Sequence, residues 1–109
     1  MSFKRPEVSD EILNKTLEEL VRNAGKRIET KGKHAFISNH EGLGIIAEEY
    51  HELIEAVRSN DPVEVASEAM DIAVGCVFLV ASLLQKEEDI KKAKAELESL
   101  VTAAASEID

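Results

Sequence analysis

Four carboxylates stand at matched positions in two short segments: Glu49 and Glu52 in "EYHE", and Glu68 and Asp71 in "EAMD". Within each segment the acids are three residues apart, so on a helix they share a face. Charged residues at that spacing are also the ordinary decoration of a solvated helix, and either pair by itself says little. Their mutual placement says more. "NDPVE" at 60–64 marks a tight turn; Glu52 and Glu68 each stand eight positions from Asn60, and Glu49 and Asp71 each stand eleven. On antiparallel helices joined there, the two rungs lie roughly 12 and 16 Å from the turn, one helical turn apart. Four acids on one patch raise one another's pKa values and destabilise the fold unless a cation sits between them. Asp71 is costly to leave bare, because Met70 precedes it and Ile72, Ala73 and Val74 follow. Oxygen donors without thiolates suit Mg²⁺ or Mn²⁺, which keep water and often take their remaining ligands from phosphate. Glu48 and Glu55 read as surface residues or as outer support for the patch.

The elements that must carry these residues are helical throughout, with no strand alternation and no internal repeat, so the class is all-α. A first helix runs from Ser9 or Asp10 to about Glu29, where Ile12, Leu13, Leu17, Leu20, Val21, Ala24 and Ile28 keep one apolar face. "TKGKHAFISNHEGLG", residues 30–44, lacks that periodicity and reads as a long loop, with a second helix starting near Ser38 at a capping box with Glu41. That helix ends by about Ser59. A third starts at Asp61 as cap and Pro62 as first residue, and is apolar nearly all round from Ile72. A fourth, about Lys86 to Ser106, carries a narrow stripe of Ile90, Ala93, Leu97, Leu100 and Val101. The expectation is a four-helix-bundle type of fold with antiparallel helices. Three companions from one chain hardly cover the third helix, so oligomerisation is expected to complete the core.

The bulk numbers narrow the function. A chain of 109 residues is one domain by size, spanning 1–109. Acidic residues outnumber basic ones 22 to 13, and the net charge of -9 argues against a phosphate-backbone binder. No nucleic-acid partner is expected, and a polyanion would need a bridging cation. Cys76 is the one cysteine, inside an apolar run; it reads as a small buried residue, and a disulfide framework or thiolate zinc site is not available. "MSFKRPEVSDEI" has no apolar core of a secretory leader, and Ile72–Leu84 is too short to span a bilayer, so a soluble, cytoplasmic protein without a membrane partner is expected.

At the acidic residues the chain resembles the MazG-like, all-α nucleoside triphosphate pyrophosphohydrolases, whose signature is an ExxE on one helix and an ExxD on the next. Here these are Glu49 to Glu52 and Glu68 to Asp71, in the frame "IIAEEYHELIEAV…VASEAMDIAVG". The resemblance covers about residues 38–84; the first and last helices match only in kind. It implies a single MazG-like helical domain in a homodimer or homotetramer, and Mg²⁺ bound by Glu49, Glu52, Glu68 and Asp71. It further implies hydrolysis of an NTP or dNTP to the monophosphate and pyrophosphate. In such chemistry a carboxylate not fully occupied with metal orients the attacking water as base, and Glu49 or Glu52 is the candidate.

For the phosphates, Lys15, Arg22 and Lys26 on the first helix and Lys31 and Lys33 after it are the candidates. The chain departs from the family in lacking a run of Lys and Arg just after the ExxD helix, where "QKEEDIKKAKAE" offers Lys86, Lys91, Lys92 and Lys94. Phe36, Tyr50, His34 and His40 are the rings able to meet a base, although Phe36 and Tyr50 read first as core. Two rival readings compete. Glu48-x-x-His51 is the ligand spacing of a ferritin-like di-iron carboxylate bundle, but it occurs once, and helical periodicity turns His51 about 200° from Glu49. The other rival is a non-catalytic helical interaction module.

Overall fold

The computed structural model describes residues 4–107. Among them are three helices and no strand: α1 (Asp10–Lys31), α2 (Asn39–Arg58) and α3 (Pro62–Ser106). Each boundary has a local cause. The Ser9 hydroxyl accepts from the Ile12 N–H at 3.2 Å and opens α1. Gly32, at φ 79°, closes it by donating to the Ile28 carbonyl. The Ser38 hydroxyl accepts from the Glu41 N–H at 3.2 Å at the start of α2. The Asp61 carboxylate accepts from the Val63 and Glu64 N–H groups, and Pro62 fills the first position of α3.

Two features differ from the sequence expectation. The third and fourth helices are one continuous helix of 45 residues. No Gly or Pro interrupts "SLLQKEEDIKK", and its residues are good helix formers, so the change from an apolar to a polar surface near Lys86 is a change of environment, not a break. The stretch 30–44 read as a long loop is loop only over 32–38; α2 starts where the Ser38 cap predicts, so Asn39 to Gly44 are helical despite their weak periodicity.

α2 packs back along α3 through the turn at Ser59–Asp61, where Asn60 takes the left-handed conformation (φ 54°) that its short polar side chain tolerates. Gly75 of α3 brings the helices close, since a Cβ there would lie 3.3 Å from Ile46 Cγ1. α1 lies against α3 and not against α2. The loop after α1 is tied down at Phe36, whose N–H donates to Ser82 Oγ at 3.0 Å. Gly42 is buried beneath it, and a Cβ at that position would stand 2.9 Å from Leu79 Cδ1 and 3.0 Å from Phe36 Cδ2.

The chain by itself buries little. Ala56 and Val74 are the buried apolar side chains among the described residues. Val80 and Leu84 of α3 and Leu17 and Val21 of α1 are all more than half exposed. Cys76 is exposed as well, contrary to its reading as a buried residue, and Tyr50 is 58% exposed where a core position was expected. Both lie on faces that the chain's own helices leave uncovered. An 18-residue window of α3 with mean hydropathy 1.8 is long and apolar enough to cross a membrane, and 11% of it is buried. The 13-residue run read from the sequence understated that length.

Candidate functional site

The hairpin of α2 and α3 brings the acids of the two segments together. One carboxylate oxygen from each of Glu49, Glu68 and Asp71 lies within 4.8 Å of the others. Glu52 stands beside this trio. It is near enough to raise the pKa of both Glu49 and Glu68, while Asp71 is the charge that acts most strongly on Glu49. Glu52 with Glu68 and Glu49 with Asp71 are the pairs equidistant from the Asn60 turn, a pairing that a three-residue connection between antiparallel helices imposes.

The acids of the cluster raise one another's pKa values. Partial burial pushes Glu49 above the ordinary carboxylate value, and the charges of Asp71 and Glu52 push it further; Lys31 pulls the other way. Glu68 is pushed up to about 7, first by desolvation, then by the hydrogen bond and charge of Glu52, then by Asp71 and Glu49. Oε2 of Glu49 and Oε2 of Glu68 are buried with no hydrogen-bond partner. Buried carboxylate oxygens without donors are costly, and a divalent cation satisfies both at once. The donor set, all carboxylate oxygen with room for water, fits Mg²⁺ or Mn²⁺.

Beside the acids, in the gap that α1 and α2 leave, is a cavity of about 430 Å³. Glu48, Glu49 and Asp71 lie on its α2 and α3 walls, and Lys26, Arg27 and Lys31 on its α1 wall. Of the basic residues expected to meet phosphates, Lys26 is on this cavity, and so is Lys31, which is the last residue of α1 and not part of the loop. Lys15, Arg22 and Lys33 do not line it. Lys15 stands about 16 Å back along α1 from Lys26 and pairs with Glu11 at 3.3 Å, and Arg22 pairs with Glu19. Arg27 escaped the sequence reading. The signal that could have found it is the polar stripe Asn23, Lys26, Arg27, Thr30 and Lys31, at the 3-and-4 spacing of one helix face.

The ExxH spacing leads elsewhere. His51 pairs with Glu55 at 3.4 Å on an exposed face and takes no part in the acidic cluster. Glu48, read as a surface or supporting residue, is on the cavity wall.

Comparison with curated proteins and with solved structures gives no match. The family model for phosphoribosyl-ATP pyrophosphohydrolase matches residues 11–104, which include all three helices nearly in full and every acid of the cluster. The chain therefore belongs to the phosphoribosyl-ATP pyrophosphohydrolase family, within the MazG-like all-α superfamily, whose members are pyrophosphohydrolases acting on nucleotide-like substrates.

Proposed function

We propose that this protein is a Mg²⁺-dependent nucleoside triphosphate pyrophosphohydrolase, acting on an NTP or dNTP in the cytoplasm. The observation that carries the reading is the convergence of Glu49, Glu68 and Asp71 within 4.8 Å, with buried, donor-free oxygens on Glu49 and Glu68. Glu49, Glu52, Glu68 and Asp71 would hold Mg²⁺ or Mn²⁺. Bound there, the ion neutralises charge on the phosphates and lowers the pKa of the attacking water.

The chain's own residues do the rest. A water oxygen forms a bond to the α-phosphorus as the α–β bridging P–O bond breaks. Pyrophosphate departs with the electron pair, and the water's proton passes to a carboxylate, Glu49 or Glu52. Both lie in the cluster, and Glu52 at its exposed side is the more accessible to solvent. Catalysis of this kind asks the protein mainly for position and charge neutralisation, which a rigid two-helix hairpin supplies.

A second copy of the chain is part of the proposal. The exposed apolar faces of α1 and α3 need cover, and a homodimer or homotetramer provides it with the same surface.

The test is a panel of ribo- and deoxyribonucleoside triphosphates with Mg²⁺. The family's name describes an ATP bearing a phosphoribosyl group, whose triphosphate carries the same anhydride, so phosphoribosyl-ATP belongs in the panel. Products are scored as monophosphate and pyrophosphate. Release of inorganic phosphate and a diphosphate instead, or no turnover of any member, would contradict the proposal.

A further inference from the structure

The cavity beside the acids has walls of opposite charge that do not neutralise each other. Lys26, Arg27 and Lys31 line the α1 side; Glu48, Glu49 and Asp71 line the other two. Among the described residues the ion pairs are Lys15–Glu11, Arg22–Glu19 and His51–Glu55, so none of the three cavity cations has a carboxylate at ion-pair distance. The separation is built into the fold, because α1 packs on α3 and leaves α2 across the gap. Lys31 is nonetheless near enough to Glu49 to act on it electrostatically. A ligand that satisfies both walls must bring positive charge to the acids and negative charge to α1, as a cation–polyphosphate does.

The basic wall is also shaped for more than one phosphoryl group. Lys26 and Lys31 are separated by roughly 7.5 Å of helix rise, with Arg27 between them. Arg27 is held in place: its guanidinium carbon lies 4.3 Å from the Phe78 ring centre and 5.4 Å from that of Phe36. Phe36 is fixed in turn by Ser82, whose hydroxyl accepts from the Phe36 N–H at 3.0 Å and donates to the Phe78 carbonyl at 2.7 Å. Aromatic faces hold a guanidinium by its plane and leave its N–H edges for the paired hydrogen bonds that phosphate accepts. The 430 Å³ volume lies within the ~300–1,000 Å³ typical of small-molecule pockets.

We propose that Lys26, Arg27 and Lys31 form the subsite for the polyphosphate tail, holding the part of the triphosphate that departs as pyrophosphate. This places the phosphate-binding cations on α1, ahead of the acidic motif, and not in the segment after it. The assignment rests on the hydrolase reading above.

The test is calorimetric titration with inorganic tripolyphosphate, in EDTA and again in Mg²⁺, on wild type, Lys26→Gln, Lys31→Gln and Arg27→Gln, with nucleotide KM measured in parallel. Charge-assisted hydrogen bonds of this kind predict a loss of roughly tenfold in tripolyphosphate affinity for each variant. KM rises, and in Lys26→Gln and Arg27→Gln the Mg²⁺-induced shift in Tm is unchanged. Arg27→Lys recovers part of the affinity, whereas a purely structural Arg27 would show a lowered Tm with wild-type affinity. Wild-type tripolyphosphate affinity in all three Gln variants, or no binding to wild type, overturns the subsite. The two readings fail separately. Turnover of triphosphates with unaltered KM in the variants removes the subsite and keeps the hydrolase. Lysine-dependent tripolyphosphate binding without turnover of any nucleotide keeps the subsite and removes the hydrolase.

Discussion

At the residue scale the proposed metal site makes predictions in pH and in metal. Glu68 is pushed up to about 7 from an ordinary 4.5, so between those values the folded chain holds a proton that the unfolded chain has released. Stability therefore falls as pH rises through that window. In EDTA, Tm at pH 5 should exceed Tm at pH 8, and Glu68→Gln, which cannot ionise, should flatten the difference; an equal slope in the variant would remove Glu68 as the cause. Mg²⁺ should reverse the loss at pH 8. Binding to the folded state alone raises stability by about 2.7 kcal/mol at a hundredfold excess over Kd. The rise in Tm should disappear in Asp71→Asn, as read by scanning fluorimetry with and without the ion. The four acids were legible in the sequence because offsets from one short turn fix neighbours across a hairpin. The cations were not, because Lys15, Lys26 and Lys33 look alike until the position of α1 along α3 decides which of them reaches the cavity.

The elements are held by caps and close approaches, and these give predictions of their own. Gly42 admits no side chain without moving Leu79 or Phe36. Gly42→Ala should cost about 1–3 kcal/mol in chemical denaturation, the usual penalty of overpacking, and should loosen the 32–38 loop. Wild-type stability in that variant would mean that the loop yields freely. Asp61→Ala removes the acceptor for two N–H groups at the start of α3 and should cost about 1 kcal/mol. The caps at Ser9, Ser38 and Asp61 follow from side-chain chemistry within four residues, which is why they could be read directly. The single span of α3 could not. Its surface changes from apolar to charged near Lys86 while its backbone continues, and a pattern of burial resembles a boundary when the burying partner is unknown.

For the whole molecule, shape is the leading fact. The chain measures 81 × 29 × 29 Å with a radius of gyration of 21.6 Å, against roughly 13 Å for a compact domain of its length. Its accessible surface is 9348 Å², where a folded monomer of 12.0 kDa exposes about 6,000 Å². Part of the exposed surface along α3 is apolar, including the shallow depression of Ala73, Cys76, Val77 and Val80. Light scattering on the purified protein should give a mass of at least two chains. Val80→Glu, placed on that face and away from the acids, should shift the mass toward one chain with loss of thermal stability; a monomeric wild type would contradict the proposed assembly. The sequence by itself determined the helical class, the caps, the turn at Asn60 and the register of the acidic pairs, since each depends on neighbours a few residues apart. Only the tertiary structure decided that α3 is continuous, that Cys76 and Tyr50 are exposed, and which cations face the acids across the gap. The exposures and the facing cations depend on how α1 and α2 seat on α3, a choice made by packing between residues far apart in the chain, whereas the span of α3 is masked in the sequence by its change from an apolar to a charged surface.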